Sequence, residues 1–583
     1  MAWNIYPKVL KEHTYYYAQR SFREQQPPAK DGKRGKSKVR TQTVYLGTAE
    51  SIVIRFKGSR TPIEARHRDF GFVAAIYQSA VETGLVDLLK THIPGERFGV
   101  PRWLYFLLPI INRLQAATSK EQMGKWAKGT VLPDLLGFDP ARLNSKSFWY
   151  ATDDVISERE LRERRKAHPE LEDELFAGLD DTLFARIEEE LVDRLREQYG
   201  LFADTLLYDT TNFFTYIEAP VRAKLANTGH NKDAHHHLRQ VGLALCVDKE
   251  WGIPLFYRVY RGNAQDAKTF AGVVEELVGA VTAGFERVDE LILVLDKGNN
   301  SKTNFQALQQ GGLRWIGSLV PSQYKDLLAL PLSEYEGTWT DCRYHRLVCT
   351  VMDIECTLVM THNAGLARKQ QHSLDNGIEK LKEQIRRKWA EYKKTPATVP
   401  AGVESMRKKS RYANFVHIEC GAAAPVFPVT KEIEERLDQQ RNRFGKNLLF
   451  ANGPDADAPW IIEQYRGKDR IEDGFKLLKH PELIRWRPCR HWTDTKIRAF
   501  GFCCVMAMIL MRVMERKTAL AGLPMSPALL KEELTDLKEV VMFYEDRHAE
   551  TQITRRSTVQ QRLWETFDLT SIEKQLTRQE PKR

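Results

Sequence analysis

The chain has 583 residues, 42% of them hydrophobic, and 12 tryptophans, which is ample for globular cores and too long for a single one. Its net charge of +11 favours a polyanionic partner. Eight cysteines without a C-x2-C pair argue against structural zinc, and the start Met1-Ala-Trp-Asn-Ile-Tyr-Pro7 lacks a signal-peptide pattern. A soluble, cytoplasmic protein with reduced thiols is expected.

Residues 1–60 read as short strands around a basic loop. Tyr15–Tyr17 and Thr43–Leu46 flank Lys30-Asp-Gly-Lys33-Arg34-Gly-Lys36-Ser-Lys38-Val-Arg40, a solvated segment that a nucleic-acid backbone could order. From 61 to 200 the pattern is helical. Phe72–Leu89 and Trp103–Leu114 are amphipathic, Ser119 is placed to cap Lys120–Trp126, and Asn144 opens a further segment.

From Leu201 to about Val320, short apolar runs bounded by turn residues alternate with helical pattern. The expected strands are Thr205–Asp209, Val241–Val247, Leu255–Tyr260, Leu291–Asp296 and Trp315–Val320. A helix, Ala267–Ala283, lies between the third and fourth. Periodicity alone gives mixed α/β. A strand-rich stretch follows, with Thr338–Thr340, Leu347–Met352, Thr357–Met360, Phe415–Glu419 and Asn447–Phe450 as strands and Glu379–Tyr392 as a charged helix. Asp457-Ala-Pro459 then opens a helix through Lys479, with Pro459 suited to its first turn. The apolar run Ala499–Met511 is too short to span a bilayer and reads as a core helix.

Three carboxylates stand out. Asp209 and Asp296 each end an apolar strand, and Glu472 lies in Tyr465-Arg-Gly-Lys468-Asp-Arg-Ile-Glu472-Asp-Gly-Phe-Lys476-Leu-Leu-Lys479. On one continuous helix Tyr465, Lys468, Glu472, Lys476 and Lys479 would share an arc of about 80°. If the two strands are adjacent and parallel, Asp209 and Asp296 come side by side and the Glu472 helix packs across their ends. Such converging carboxylates repel unless cations intervene, and hard divalent ions with oxygen ligands suit them. The bland readings are turn formers for the aspartates and a solvated face for the lysines, with Glu472–Lys476 as an i,i+4 pair. Asp469 and Asp473 are rivals for the third carboxylate. His235-His236-His237 lacks a spaced fourth ligand and reads better, with Lys232 and Arg239, as a DNA-contacting loop.

These motifs resemble those of bacterial insertion-sequence transposases of the Asp-Asp-Glu type, in the cut-and-paste superfamily whose last carboxylate lies in Tyr-x2-Arg-x3-Glu-x6-Lys. Tyr465, Glu472 and Lys479 match that signature, while Lys468 stands at its arginine position. Tyr208–Thr211 resembles the first motif and Asp296–Ser301 the second. Gly229–Asp233, Gln240–Gly242 and Tyr260–Asp266 resemble the segments between them. The likeness runs from about Leu206 to Arg512.

The resemblance implies an α/β fold: an RNase H-like catalytic core (201–322 and 453–515) with a strand-rich inserted domain (323–452). Flanking it would be a strand-rich basic region (1–60), a helical DNA-binding region (61–200) and a C-terminal region (516–583). It implies Asp209, Asp296 and Glu472 as catalytic metal ligands for Mg²⁺ or Mn²⁺, two ions in number. Tyr465, Lys468, Lys476 and Lys479 would hold DNA phosphate. The partners implied are double-stranded DNA, as element ends and target, and a second copy of the chain in a homodimeric synaptic complex. Phe444 or Trp339 of the insertion would stack a flipped base. Arg485, Arg487, Arg490 and His491, which follow the Glu472 helix, read equally well as lining a DNA path and as a solvated basic rim. The expected function is metal-dependent cleavage of element ends followed by joining of the 3′ ends to target DNA. The alternatives are a nuclease of the same fold without strand transfer and a catalytically inactive DNA-binding protein.

Overall fold

The computed structural model describes the chain apart from residues 1–2, 11–12, 26–36, 58–61, 181, 201–203, 218–221, 230–236, 283–287, 393–396, 545–548 and 579–583. Most of the basic loop from Lys30, the run from His230 to Asp233, His235 and His236 therefore lie outside the described residues. Two compact units result. One joins residues 1–70 to 536–556, and the other holds 71–535 and 557–583.

In the smaller unit, Asn4–Leu10, His13–Gln25 and Ser37–Thr48 form an antiparallel sheet. The tyrosines expected in strands pack there: Tyr17 stacks on Tyr6 at 5.8 Å and lies 5.3 Å from Tyr45. A second antiparallel sheet joins Glu64–Asp69 to Lys538–Phe543 and Ala549–Ile553. The region after 516 is thus not one body, because its strands belong with the chain's beginning.

The larger unit opens with helices. Expected as one, Phe72–Leu89 is two, α1 (Gly71–Glu82) and α2 (Leu85–His92), because Gly84 takes φ 77° between them. They are followed by α3 (Leu104–Ala116), α4 (Ser145–Asp153), α5 (Glu158–Ala167) and α6 (Thr182–Tyr199). Asn144 closes a reciprocal capping box with Ser147 at the start of α4.

A ten-stranded mixed sheet forms the centre. Its strands are β1 (Thr205–Phe214), β2 (Arg239–Asp248), β3 (Pro254–Arg261), β4 (Ile292–Leu295) and β5 (Arg314–Ser318), with α7 (Asp266–Thr282) before β4 and α8 (Lys302–Gln310) after it. β6 (Gly337–Trp339), β7 (Cys342–Val351), β8 (Ile354–Asn363) and β9 (Lys446–Asn452) continue it, and Asn227–Thr228 adds a short pairing to β2. The spatial order is β3-β2-β1-β4-β5-β9-β8-β7-β6. β1, β4 and β5 are parallel, β2 is antiparallel to β1, and β3 is antiparallel to β2. Tyr208, Phe270, Leu293, Trp315 and Phe450 share its buried core, where each large apolar side chain contributes about 1.5–3 kcal/mol.

The stretch expected as a separate strand-rich insertion is built differently. Its long strands extend the central sheet, because β9 pairs with β5 and β8 together. What has a core of its own is helical: α9 (Ala364–Trp389) and α10 (Ala401–Lys409) pack around Leu381, Ile385, Trp389 and Val403.

After the insertion come α11 (Ala458–Arg466), α12 (Asp469–Lys479) and α13 (Asp494–Leu520). Of single helices among the described residues, α13 alone is long and apolar enough to cross a membrane, but 94% of its most apolar window is buried within the protein. It is the core helix expected, longer at both ends than its apolar run.

Candidate active site

Strand register places the first two carboxylates. Tyr208 pairs with Leu295 across the parallel β1–β4 ladder, so Asp209 and Asp296 are next in line on neighbouring strands. Asp209 does not end its strand as expected. β1 runs on to Phe214, since Thr210, Thr211, Phe213 and Phe214 favour extended backbone and pair with β2. Side chains alternate across a strand. On the face away from Asp209, Tyr208 packs edge-on to Phe270 of α7 at 4.8 Å, and Thr210 Oγ1 donates to Asp266 Oδ1 at 2.8 Å. The other face receives α12, which packs on β1 and β2.

Lys468, the residue before α12, reaches into this acidic pair. Its Nζ lies 3.0 Å from Asp296 Oδ1, and the Tyr465 hydroxyl donates to the same oxygen at 3.5 Å. Burial alone would lower the lysine pKa, but the charges of Asp209 and Asp296 raise it. For Asp296, burial would raise the carboxyl; the Lys468 charge and hydrogen bond, helped by the Lys297 backbone N–H, hold it below the ordinary range. Burial raises the Tyr465 phenol, and a hydrogen bond with Ser318 opposes this. A cation thus stands where two carboxylates converge, relieving their repulsion.

The helical arm departs from expectation. The single helix through Tyr465 and Lys479 is two helices, α11 and α12, broken at Gly467 and Lys468. Three-residue turns, Lys468 N to Tyr465 O and Arg470 N to Gly467 O, replace regular helical bonds there. Asp457 and Pro459 therefore open α11, one helix before Glu472. The break falls between Tyr465 and the other four residues of the expected arc, while the Glu472 backbone N–H still donates to the Lys468 carbonyl at 3.4 Å. Tyr465 and Lys468 face Asp296, whereas Glu472 is exposed on α12. Among the described residues, no three His, Cys, Asp or Glu side chains are grouped to hold a metal. Glu472 is thus not in a ligating cluster with Asp209 and Asp296. Lys476 pairs with Asp473 at 2.8 Å in place of Glu472, and Lys479 Nζ stands 5.8 Å from the Phe213 ring of β1.

A hard divalent cation suits part of this donor set. Asp209 and Asp296 offer oxygens on adjacent strands, and the Lys468 ammonium already stands in for a cation between them. Other expectations shift. His491 packs on Phe500 at 4.8 Å, where burial and the charges of Lys120 and Arg113 depress its imidazole well below the ordinary range. Trp339 is covered by Arg466, whose guanidinium lies 5.0 Å from the ring and 2.6 Å from Asp341. Asp266 and Ser318 were not singled out as site residues. Asp266 closes the Tyr260–Asp266 motif, which was its only signal, and Ser318 had none.

A family model, the transposase DDE domain, matches residues 206–508, more than half of the chain. The chain belongs to the DDE transposases. The match spans Asp209, Asp296 and Glu472 and makes the transposase a nucleotidyl-transfer enzyme of DNA transposition. Among solved structures it is similar to a piggyBac transposase synaptic complex with hairpin DNA, at 10% identity over 81% of this chain and 82% of that one, with TM-score 0.40. It is also similar to a Mos1 transposase paired-end complex with left transposon end, at 12% identity over 40% of this chain and 64% of that one, with TM-score 0.15. No curated protein matches it.

Proposed function

We propose that this transposase binds the ends of an insertion sequence in the bacterial cytoplasm, cleaves them by metal-dependent hydrolysis and joins the freed 3′ ends to target DNA. The observation that carries the reading is the Asp209–Asp296 pair on adjacent parallel strands with a cation between them. The strand order, with three antiparallel strands followed by two parallel ones reached through α7 and α8, supports an RNase H-like core.

Mg²⁺ or Mn²⁺ would be held by Asp209 and Asp296, with Glu472 as third ligand, and would supply Lewis-acid activation of the attacking oxygen and charge stabilisation of the leaving one. Glu472 is one helical turn, about 6 Å, beyond Lys468, so a small rotation of α12 would bring it to the pair. Tyr465 and Lys468 would orient the phosphate beside Asp296, with Lys476 and Lys479 holding backbone further out. The helical region 61–200 would bind the element end, and a homodimer would pair two ends.

The test is incubation with candidate element ends, Mg²⁺ and a supercoiled target, followed by product mapping. Cut ends joined to target support the reading. Cutting without joining leaves a nuclease, and binding without cutting leaves an inactive DNA-binding protein.

A further inference from the structure

A second basic site lies away from the carboxylates, where two helices begin together. Thr493 is the residue before α13 and Ser157 the residue before α5. Both line a cavity of about 440 Å³ with Arg159, Arg162 and Arg222. The stacked rings of Trp149 and Trp492, 4.9 Å apart, form a wall, and the Arg222 guanidinium lies 5.3 Å from the Trp492 ring.

Helix beginnings carry unbonded N–H groups and partial positive charge. The independent observation is Thr493 itself. It is 1% exposed, its hydroxyl does not cap α13, and its Oγ1 has no hydrogen-bond partner. Such a buried hydroxyl costs free energy unless something accepts or donates a bond.

Nearby acids are occupied. Asp494, first in α13, accepts from Arg165 and from the backbone N–H groups of Lys224 and Leu225 at 2.9 and 2.8 Å. Asp153 pairs with Lys496, and Glu158 accepts from Thr495 at 2.9 Å. Arg162 spends one donor on the Glu158 carbonyl at 3.3 Å, and Arg159 pairs with Glu163 at 3.0 Å. A guanidinium has five donors, so spare ones remain.

We infer that this cavity is a phosphodiester site that holds a DNA backbone phosphate at a distance from the scissile one. This rests on the transposase reading above. β1 links the two places: it carries Asp209, and just beyond its end Thr215 bridges Cys489, three residues before Trp492. Six residues of strand and the three from Cys489 to Trp492 together span at most roughly 30 Å, within the ~34 Å of one duplex turn. One duplex can therefore meet both.

The test uses the full chain and a labelled 40-base-pair duplex, with affinity followed from 50 to 200 mM salt. Arg222→Ala and Arg162→Ala should each weaken binding about tenfold and reduce the salt slope by about one. Thr493→Val should weaken it, and Thr493→Ser should restore it. Single uncharged methylphosphonates walked along the duplex should reveal one position where the wild type loses affinity and Thr493→Val does not. Melting curves identify any variant that misfolds, and the exposed Arg222 keeps the test open if Thr493→Val does. If the wild type binds steeply and all variants bind like it with unchanged slopes, the inference is overturned. If the wild type binds no duplex, the transposase reading itself fails.

Discussion

The two halves of the candidate active site are held in different ways. Asp209 lies in β1 and Asp296 directly follows β4, the neighbouring strand, whose register is fixed by a parallel ladder of buried residues. Glu472 belongs to a helix that starts after a break at Gly467 and presents its carboxylate to solvent. Strand register is all or none, since a slip of one residue turns every side chain to the other face. A helix attached through a break can rotate by degrees. The strand pair is thus a fixed anvil, and the α12 arm is the part whose setting can change.

The strongest way to break this comparison is to remove one carboxylate from each half. Asp209→Ala, Asp296→Ala and Glu472→Ala should each lower cleavage by about 10²–10³-fold or more while leaving duplex binding largely intact. If Glu472→Ala cleaves at the wild-type rate while both aspartate variants are dead, the arm contributes no ligand. Chelation of divalent ions should have the same signature in a binding and cleavage assay run side by side.

Lys468 tests the junction of the two halves. Lys468→Ala leaves Asp209 and Asp296 without their cation and should lower cleavage by about tenfold to a hundredfold. Lys468→Arg should retain activity, because arginine can reach a carboxylate or phosphate from the same place. Equal, near-wild-type rates in both variants would remove Lys468 from the site.

A smaller effect is expected behind the strands. Asp266→Asn weakens the acceptor for Thr210, and loss of one such bond costs about 1 kcal/mol. Melting should shift downward slightly, and cleavage should fall a few-fold; an unchanged rate would mean that Asp209 needs no support from that face. The smallest change in stability is expected for Gly467→Ala. Gly467 has φ −55°, which alanine adopts freely, and the nearest obstacle to a methyl group is the flexible Lys249 side chain at 2.8 Å. Stability should change by less than about 1 kcal/mol. A clear loss of cleavage at unchanged melting temperature would show that the break serves as a pivot.

The site divides along the same line in its legibility. Buried apolar runs announced β1, β4 and β5, and the adjacency of Asp209 and Asp296 followed once two strands were parallel neighbours. The far end of β1 was hidden because Asp209 resembles a strand terminator, while Thr210 to Phe214 owe their extension to pairing with a distant segment. The union of β8 and β9 with β5 was equally hidden, since periodicity describes an element and not its neighbour. The arm misled through helix phase. One glycine in an otherwise helical run is often tolerated, and here it marks the break between α11, which carries Tyr465, and α12, which carries an exposed Glu472.

The smaller unit's second sheet has a consequence for synthesis. Arg68 and Glu539 are ion-paired across 471 positions of chain. At about 5–20 residues per second, the strand Glu64–Asp69 leaves the ribosome roughly half a minute to a minute and a half before its partner exists. Residues 71–535, the bulk of the larger unit, are made in that interval. Closure of this sheet is therefore a late event in the birth of each molecule, and until then the strand Glu64–Asp69 has an unpaired edge.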